Sequence, residues 1–183
     1  MPSGFGLLLL FGIGVTAGLR TMTAPAVVAW AAHLGWINLS GSPLVFMGSV
    51  WAVAVFTMGA LVEYVVDQLP STHARTAPAP LTARIVMAML TGACLCVGEG
   101  AWVGVGALIV GGLIGAIGAL AGAFGGYQVR VRLVRGLRVP DAVIAIPEDL
   151  FAIGLGLLCC FQILHFRIAI ATVLAHMQSR ALL

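Results

Sequence analysis

Lysine is absent from the 183-residue sequence, and ionisable side chains of every kind are scarce. Only 8% of the residues are charged, against roughly a quarter in a soluble domain. Hydrophobic residues make up 61% and the mean hydropathy is +1.12, more apolar surface than a soluble fold can hide. The nine basic residues are all arginine, and they give a net charge of only +3 dispersed among apolar runs, which excludes a nucleic-acid partner.

Catalytic and cofactor signatures are lacking too. There is no Walker loop, no H-E-x-x-H and no G-x-S-x-G, so no cofactor is expected and the balance leans away from an enzyme. His33, His73, His165 and His176 lie far apart without ligand spacing. Cys94, Cys96, Cys159 and Cys160 sit in apolar runs without C-x-x-C spacing, as packing residues would. The N-terminus lacks the charged segment of a signal peptide, so the first apolar run is expected to remain as a span.

What is present is a succession of apolar segments. The first begins near Phe5 and is interrupted at Arg20 and Pro25; proline removes a backbone donor, which predicts a broken rather than a continuous helix. Turn formers between Asn38 and Pro43 precede a second span from about Leu44 to Leu69. The proline-rich stretch 70–80 reads as a solvated loop. A third span runs from about Leu81 to Gly98, a tight turn at Glu99 and Gly100 follows, and a fourth span covers about Trp102 to Tyr127. The segment 128–142 is basic, with Arg130, Arg132, Arg135 and Arg138. A final apolar region from about Ala142 to His176 is interrupted at Pro147, a second expected helix break. At roughly 20 to 25 residues per crossing, the chain is one all-α membrane helix bundle of about five spans, with six as the alternative.

Glycine is dense in the fourth span. Gly111 and Gly115 form one GxxxG pair and Gly118 and Gly122 another, a spacing that lets helix backbones approach closely in lipid. Those pairs fit packing inside the chain or a seam between copies, and a homo-oligomer is expected. The two arginine-bearing loops, after spans two and four, predict a bacterial inner-membrane protein with both loops and the N-terminus cytoplasmic. The arginine loop would contact anionic lipid headgroups.

Charges within lipid cost at least about 2.5 kcal/mol each at the centre of a span, so they persist where they meet partners, water or a substrate. Arg20, Glu63, Asp67, Arg84, Glu148 and Asp149 are the candidates for a substrate or ion site. Glu63 and Asp67 are spaced i, i+4 and share a helix face, where they could share a proton, hold a cation or neutralise Arg20 and Arg84. A short echo links Gly18–Ala29 (GLRTMTAPAVVA) to Gly136–Ala145 (GLRVPDAVIA), a pattern that points to an inverted repeat.

The G-L-R-x-x-x-A-P-A run, the E-x-x-x-D-x-x-P run from Glu63 to Pro70, Arg84 and the P-E-D-L run from Pro147 to Leu150 together resemble the bacterial membrane proteins grouped as domain of unknown function 4126. The resemblance covers nearly the whole chain and implies a small multi-span inner-membrane protein, without supplying a function. The expected activity is that of a small secondary transporter or channel with an arginine and carboxylates near broken helices. The alternative is a non-catalytic assembly or lipid-binding protein that uses the glycine face. Any metal preference stays open.

Overall fold

Apolar runs without water to satisfy their backbone groups must bond internally, and the described residues do so through helices. The computed structural model describes residues 4–67, 77–100, 104–137 and 141–181. These form six α-helices and one 3-10 helix, with no strand among the described residues. The α-helices are α1 (Gly4–Leu19), α2 (Thr23–His33), α3 (Val50–Val66), α4 (Pro78–Glu99), α5 (Val105–Leu137) and α6 (Asp141–Ala181); the 3-10 helix is Pro43–Gly48. Helices α4, α5 and α6 are long and apolar enough to cross a membrane, whereas α1 and α3 are apolar but shorter. The surface agrees with that reading: on α3 alone Trp51, Val55, Met58 and Val65 are mostly exposed, and water would not support such a face.

Glycine decides the helix contacts. Gly14 and Gly18 of α1 lie against Gly115 and Ala119 of α5 in the same order along both helices, so α1 and α5 run parallel. Gly92 and Ala88 of α4 meet Gly111 and Gly115 in the reverse order, so α4 and α5 run antiparallel. A Cβ at Gly115 would fall on the Ala88 carbonyl oxygen, and one at Gly118 on that of Phe11. Only hydrogen at these positions allows such approach. All four predicted packing glycines, Gly111, Gly115, Gly118 and Gly122, are therefore buried against α4 or α1. Of the two uses their spacing allowed, these glycines serve packing within the chain.

The first apolar segment breaks as predicted, but at residues 20–22 rather than at Pro25. Pro25 is the third residue of α2, where first-turn amides have no helical acceptor and a missing N–H costs nothing. The two halves form a hairpin. Thr23 pairs with Tyr64, Trp30 with Thr57 and His33 with Gly48, so α2 descends beside α3, and Ile37 reaches Gly98 at the far end of α4. The chain thus rises in α1, returns in α2, rises in α3, descends in α4, rises in α5 and descends in α6.

One end of the bundle gathers the start of α1, the turn at Asn38 and Glu99; the other gathers Arg20, Arg84 and the arginines of α5. The start of α1 and the arginine-bearing helix ends lie at opposite ends of the bundle, because the first segment makes a hairpin of α1 and α2. The echoing segments Gly18–Ala29 and Gly136–Ala145 both join a rising helix to a descending one at the same end, so inversion does not relate them.

Two further expectations change. Pro147 lies inside α6 and does not break it, since α6 continues from Asp141 to Ala181. Residues 128–137 continue α5 rather than forming a loop. At 1.5 Å per residue α5 is about 50 Å long, well beyond the roughly 30 Å hydrocarbon core of a bilayer. Most of the expected loop at 70–80, with His73 and Arg75, and also Arg138, lie outside the described residues.

Candidate functional site

A helix that stops inside a bundle leaves carbonyls at its C-terminus, and the turn that follows leaves amides, in need of partners. Charged side chains from other helices bond both here. Arg84 of α4, almost fully buried, donates through Nη1 to the carbonyl oxygens of Gly18 (2.6 Å) and Leu19 (2.8 Å), closing the end of α1. Glu63 of α3 accepts the amides of Thr21 and Met22, each at 2.8 Å, and so holds the turn that leads into α2. A carboxylate at a helix N-terminus and a guanidinium at a C-terminus both oppose the helix dipole favourably. The two capping groups approach one another at 4.0 Å.

Arg20 occupies the break itself and is fully buried. Its Nη1 donates to Asp67 Oδ2, at the C-cap of α3, while Nε and Nη2 face Asp149 Oδ1 on α6. The guanidinium also lies over the Tyr64 ring, 5.5 Å from its centroid, and the Tyr64 hydroxyl is 2.8 Å from Thr23 Oγ1. Arg130 of α5 donates to Glu148 Oε2 at 3.2 Å, on the turn of α6 adjoining Asp149. Unlike Arg20, Asp67 and Asp149 retain 14% and 17% side-chain exposure, so the ion cluster is partly open through its carboxylates.

All six candidate residues thus gather at one end of the bundle. Arg20, Glu63, Asp67, Arg84 and Asp149 surround the break, and Glu148 adjoins them through Arg130. Glu63 and Asp67 share a helix face but not a ligand, since one binds backbone amides and the other Arg20. Of the three roles their spacing allowed, neutralisation of the arginines is the one realised. Among the described residues no group of three His, Cys, Asp or Glu side chains could hold a metal ion.

Sequence reasoning missed Tyr64, although its place between Glu63 and Asp67 was a signal. It also treated Arg130 as a lipid contact; the structure turns that side chain to Glu148, while Arg132 and Arg135 remain exposed. Comparison of the chain with protein-family models, curated proteins and solved structures finds no match.

Proposed function

We propose that the protein is a small transporter of the bacterial inner membrane, with six crossings, whose Arg20–Asp67–Asp149 cluster is a proton-sensitive hinge. The observation that carries this is a fully buried arginine held at a backbone break by two partly exposed carboxylates, one from α3 and one from α6. Ionisable groups inside a membrane bundle are costly and mark ion or proton pathways. A proton reaching Asp67 or Asp149 would weaken that helix's hold on the α1–α2 break, coupling proton entry to movement of one helix against the hairpin.

The positive-inside rule places the end with Arg84, Arg130, Arg132 and Arg135 in the cytoplasm, and hence the start of α1 on the opposite side. The exposed Arg132 and Arg135 are suited to anionic headgroups there. The motif residues behind the likeness to domain of unknown function 4126 are largely the residues of the network, which supports membership of that family as part of this reading. The glycine face that the alternative assembly reading would use packs against α1 and α4 within one copy.

The test is a pH-gradient assay in proteoliposomes with an internal pH dye. The wild type is expected to dissipate the gradient, and Asp67→Asn and Asp149→Asn to do so at most one tenth as fast while keeping their helical circular dichroism. Equal rates in wild type and both variants, or no flux in the wild type, would end the proposal.

A further inference from the structure

A second polar feature lies at the end of the bundle opposite Arg20. Where the chain passes from α2 into the 3-10 helix and on to α3, it shelters a hollow of about 440 Å³, within the range of small-molecule sites. All but one of the lining residues belong to the segment 32–49. The exception is Arg167, which reaches in from α6.

Arg167 donates through Nη1 to the carbonyl oxygens of Trp36 (3.0 Å) and Gly35 (3.4 Å), which fixes its guanidinium at the wall and leaves Nε and Nη2 without a partner among the described residues. The neutral polar side chains of the wall have donors to spare. Asn38 Oδ1 accepts the Ser40 amide (3.0 Å), so the Asn38 NH₂ group is unspent, and Ser49 Oγ accepts the Ala52 amide (3.1 Å), so its hydroxyl proton is free to turn. Among the described residues no carboxylate lines this hollow; Glu99, which ends α4, has its carboxylate against Gly6 of α1. One fixed positive charge among donors, with no acid to neutralise it, selects an anion, and the fork of a guanidinium suits a phosphate.

The level of the hollow points to the source of that phosphate. Helix α4 has 22 residues, about 33 Å, close to the roughly 30 Å hydrocarbon core, and Ile37 packs on Gly98 at its end. That length puts the segment after α2 at headgroup depth. Beside the hollow Val45, Phe46 and Trp51 are 58%, 49% and 81% exposed, an apolar and aromatic rim of the kind found at a membrane interface.

We infer that this hollow binds a phospholipid whose headgroup ends in hydroxyls, its phosphate on Arg167, its hydroxyls on Asn38 and Ser40 and an acyl chain along Val45 and Phe46. A headgroup ending in an ammonium would meet no acid in the wall. The inference does not depend on the transport reading, since binding is measured without a gradient.

The probes are phosphatidylglycerol and phosphatidylethanolamine with matched chains, titrated into the delipidated full chain in neutral detergent and read by native mass spectrometry. Arg132→Gln and Arg135→Gln are present throughout, to remove headgroup contacts at the opposite end. Phosphatidylglycerol is expected to bind at least about fivefold more tightly, a factor that one arginine near an anionic headgroup accounts for. Adding Arg167→Gln is expected to remove most of that preference. Ser40→Asp, which keeps Arg167 and its carbonyl bonds but sets an acid in the wall, is expected to lower it as well. Equal affinity of the two lipids before Arg167 is changed, or an undiminished preference in Arg167→Gln, overturns the inference. Displacement of phosphatidylglycerol by equimolar inorganic phosphate or glycerol 3-phosphate also overturns it, because the site would then be one for a free phosphate. Should Arg167→Gln fail to fold, Ser40→Asp decides, and an unchanged preference there overturns the inference.

Discussion

Arg84 and Glu63 come within 4.0 Å of each other while bonding opposite sides of one chain break, Arg84 on the last carbonyls of α1 and Glu63 on the amides of Thr21 and Met22 in the turn before α2. The arrangement replaces the water that would satisfy such a break in a soluble protein. It also ties α3 and α4 to a hairpin to which neither is joined directly in sequence.

The first prediction follows from that pairing. Arg84→Ala removes the donor to two buried carbonyls and exposes Glu63 to an uncompensated site, so a loss of about 3–5 kcal/mol is expected. Glu63→Gln keeps an acceptor for one amide and should cost less, about 1–3 kcal/mol. Thermal unfolding of the detergent-solubilised chain measures both. Equal, small shifts would show that the caps carry little of the stability.

Arg20 and Asp67 should behave as a coupled pair. Arg20→Gln leaves two carboxylates facing each other at the break, and adding Asp67→Asn relieves part of that repulsion. The double variant is therefore expected to be more stable than Arg20→Gln alone, with an interaction of at least about 0.5 kcal/mol in a double-mutant cycle. Additive effects would mean that the ion pair does not link α3 to the break.

The glycine contacts give a graded series along α5. Gly118→Val drives a side chain into the Phe11 carbonyl and is expected to destabilise by about 1–3 kcal/mol or to prevent folding. Gly125 has open space where a Cβ would go, so Gly125→Ala should be neutral or stabilise by up to about 1 kcal/mol through helix propensity. Melting temperatures that fall equally for both would contradict the packing described.

The hairpin predicts which residues label together. In intact cells, a membrane-impermeant maleimide should reach Cys placed at Gly4 and at Ser40 from one side, and Cys placed at Arg132 only from the other. All four native cysteines are buried and should stay unlabelled. Labelling of the Gly4 and Ser40 positions from opposite sides would rule out the rise and return of α1 and α2.

Much of the fold was legible in the sequence, because apolar composition and turn formers act locally. The turn at Asn38–Pro43, the end of α4 at Glu99 and the presence of a break in the first segment were all readable there. The two prolines were not. Pro25 looked like the break and is absorbed in the first turn of α2, while Pro147 looked like a break and is carried inside α6. Proline's effect depends on whether its missing N–H would have had a partner, and that is set by where the helix starts.

Composition alone determined that the chain is all-helical and apolar, and the rarity of charge singled out the six residues that meet at one end of the bundle. Tertiary structure alone decided their roles. Arg20 meets Asp67 and Asp149 across 47 and 129 residues, and Arg84 reaches Leu19 across 65. Periodicity reports only which side of its own helix a residue occupies, whereas partners so distant in sequence are chosen by how helices pack. Here that packing follows from glycines that let α1, α4 and α5 touch backbone to backbone, so that charged groups from separate helices converge on the one place where the backbone is left unsatisfied.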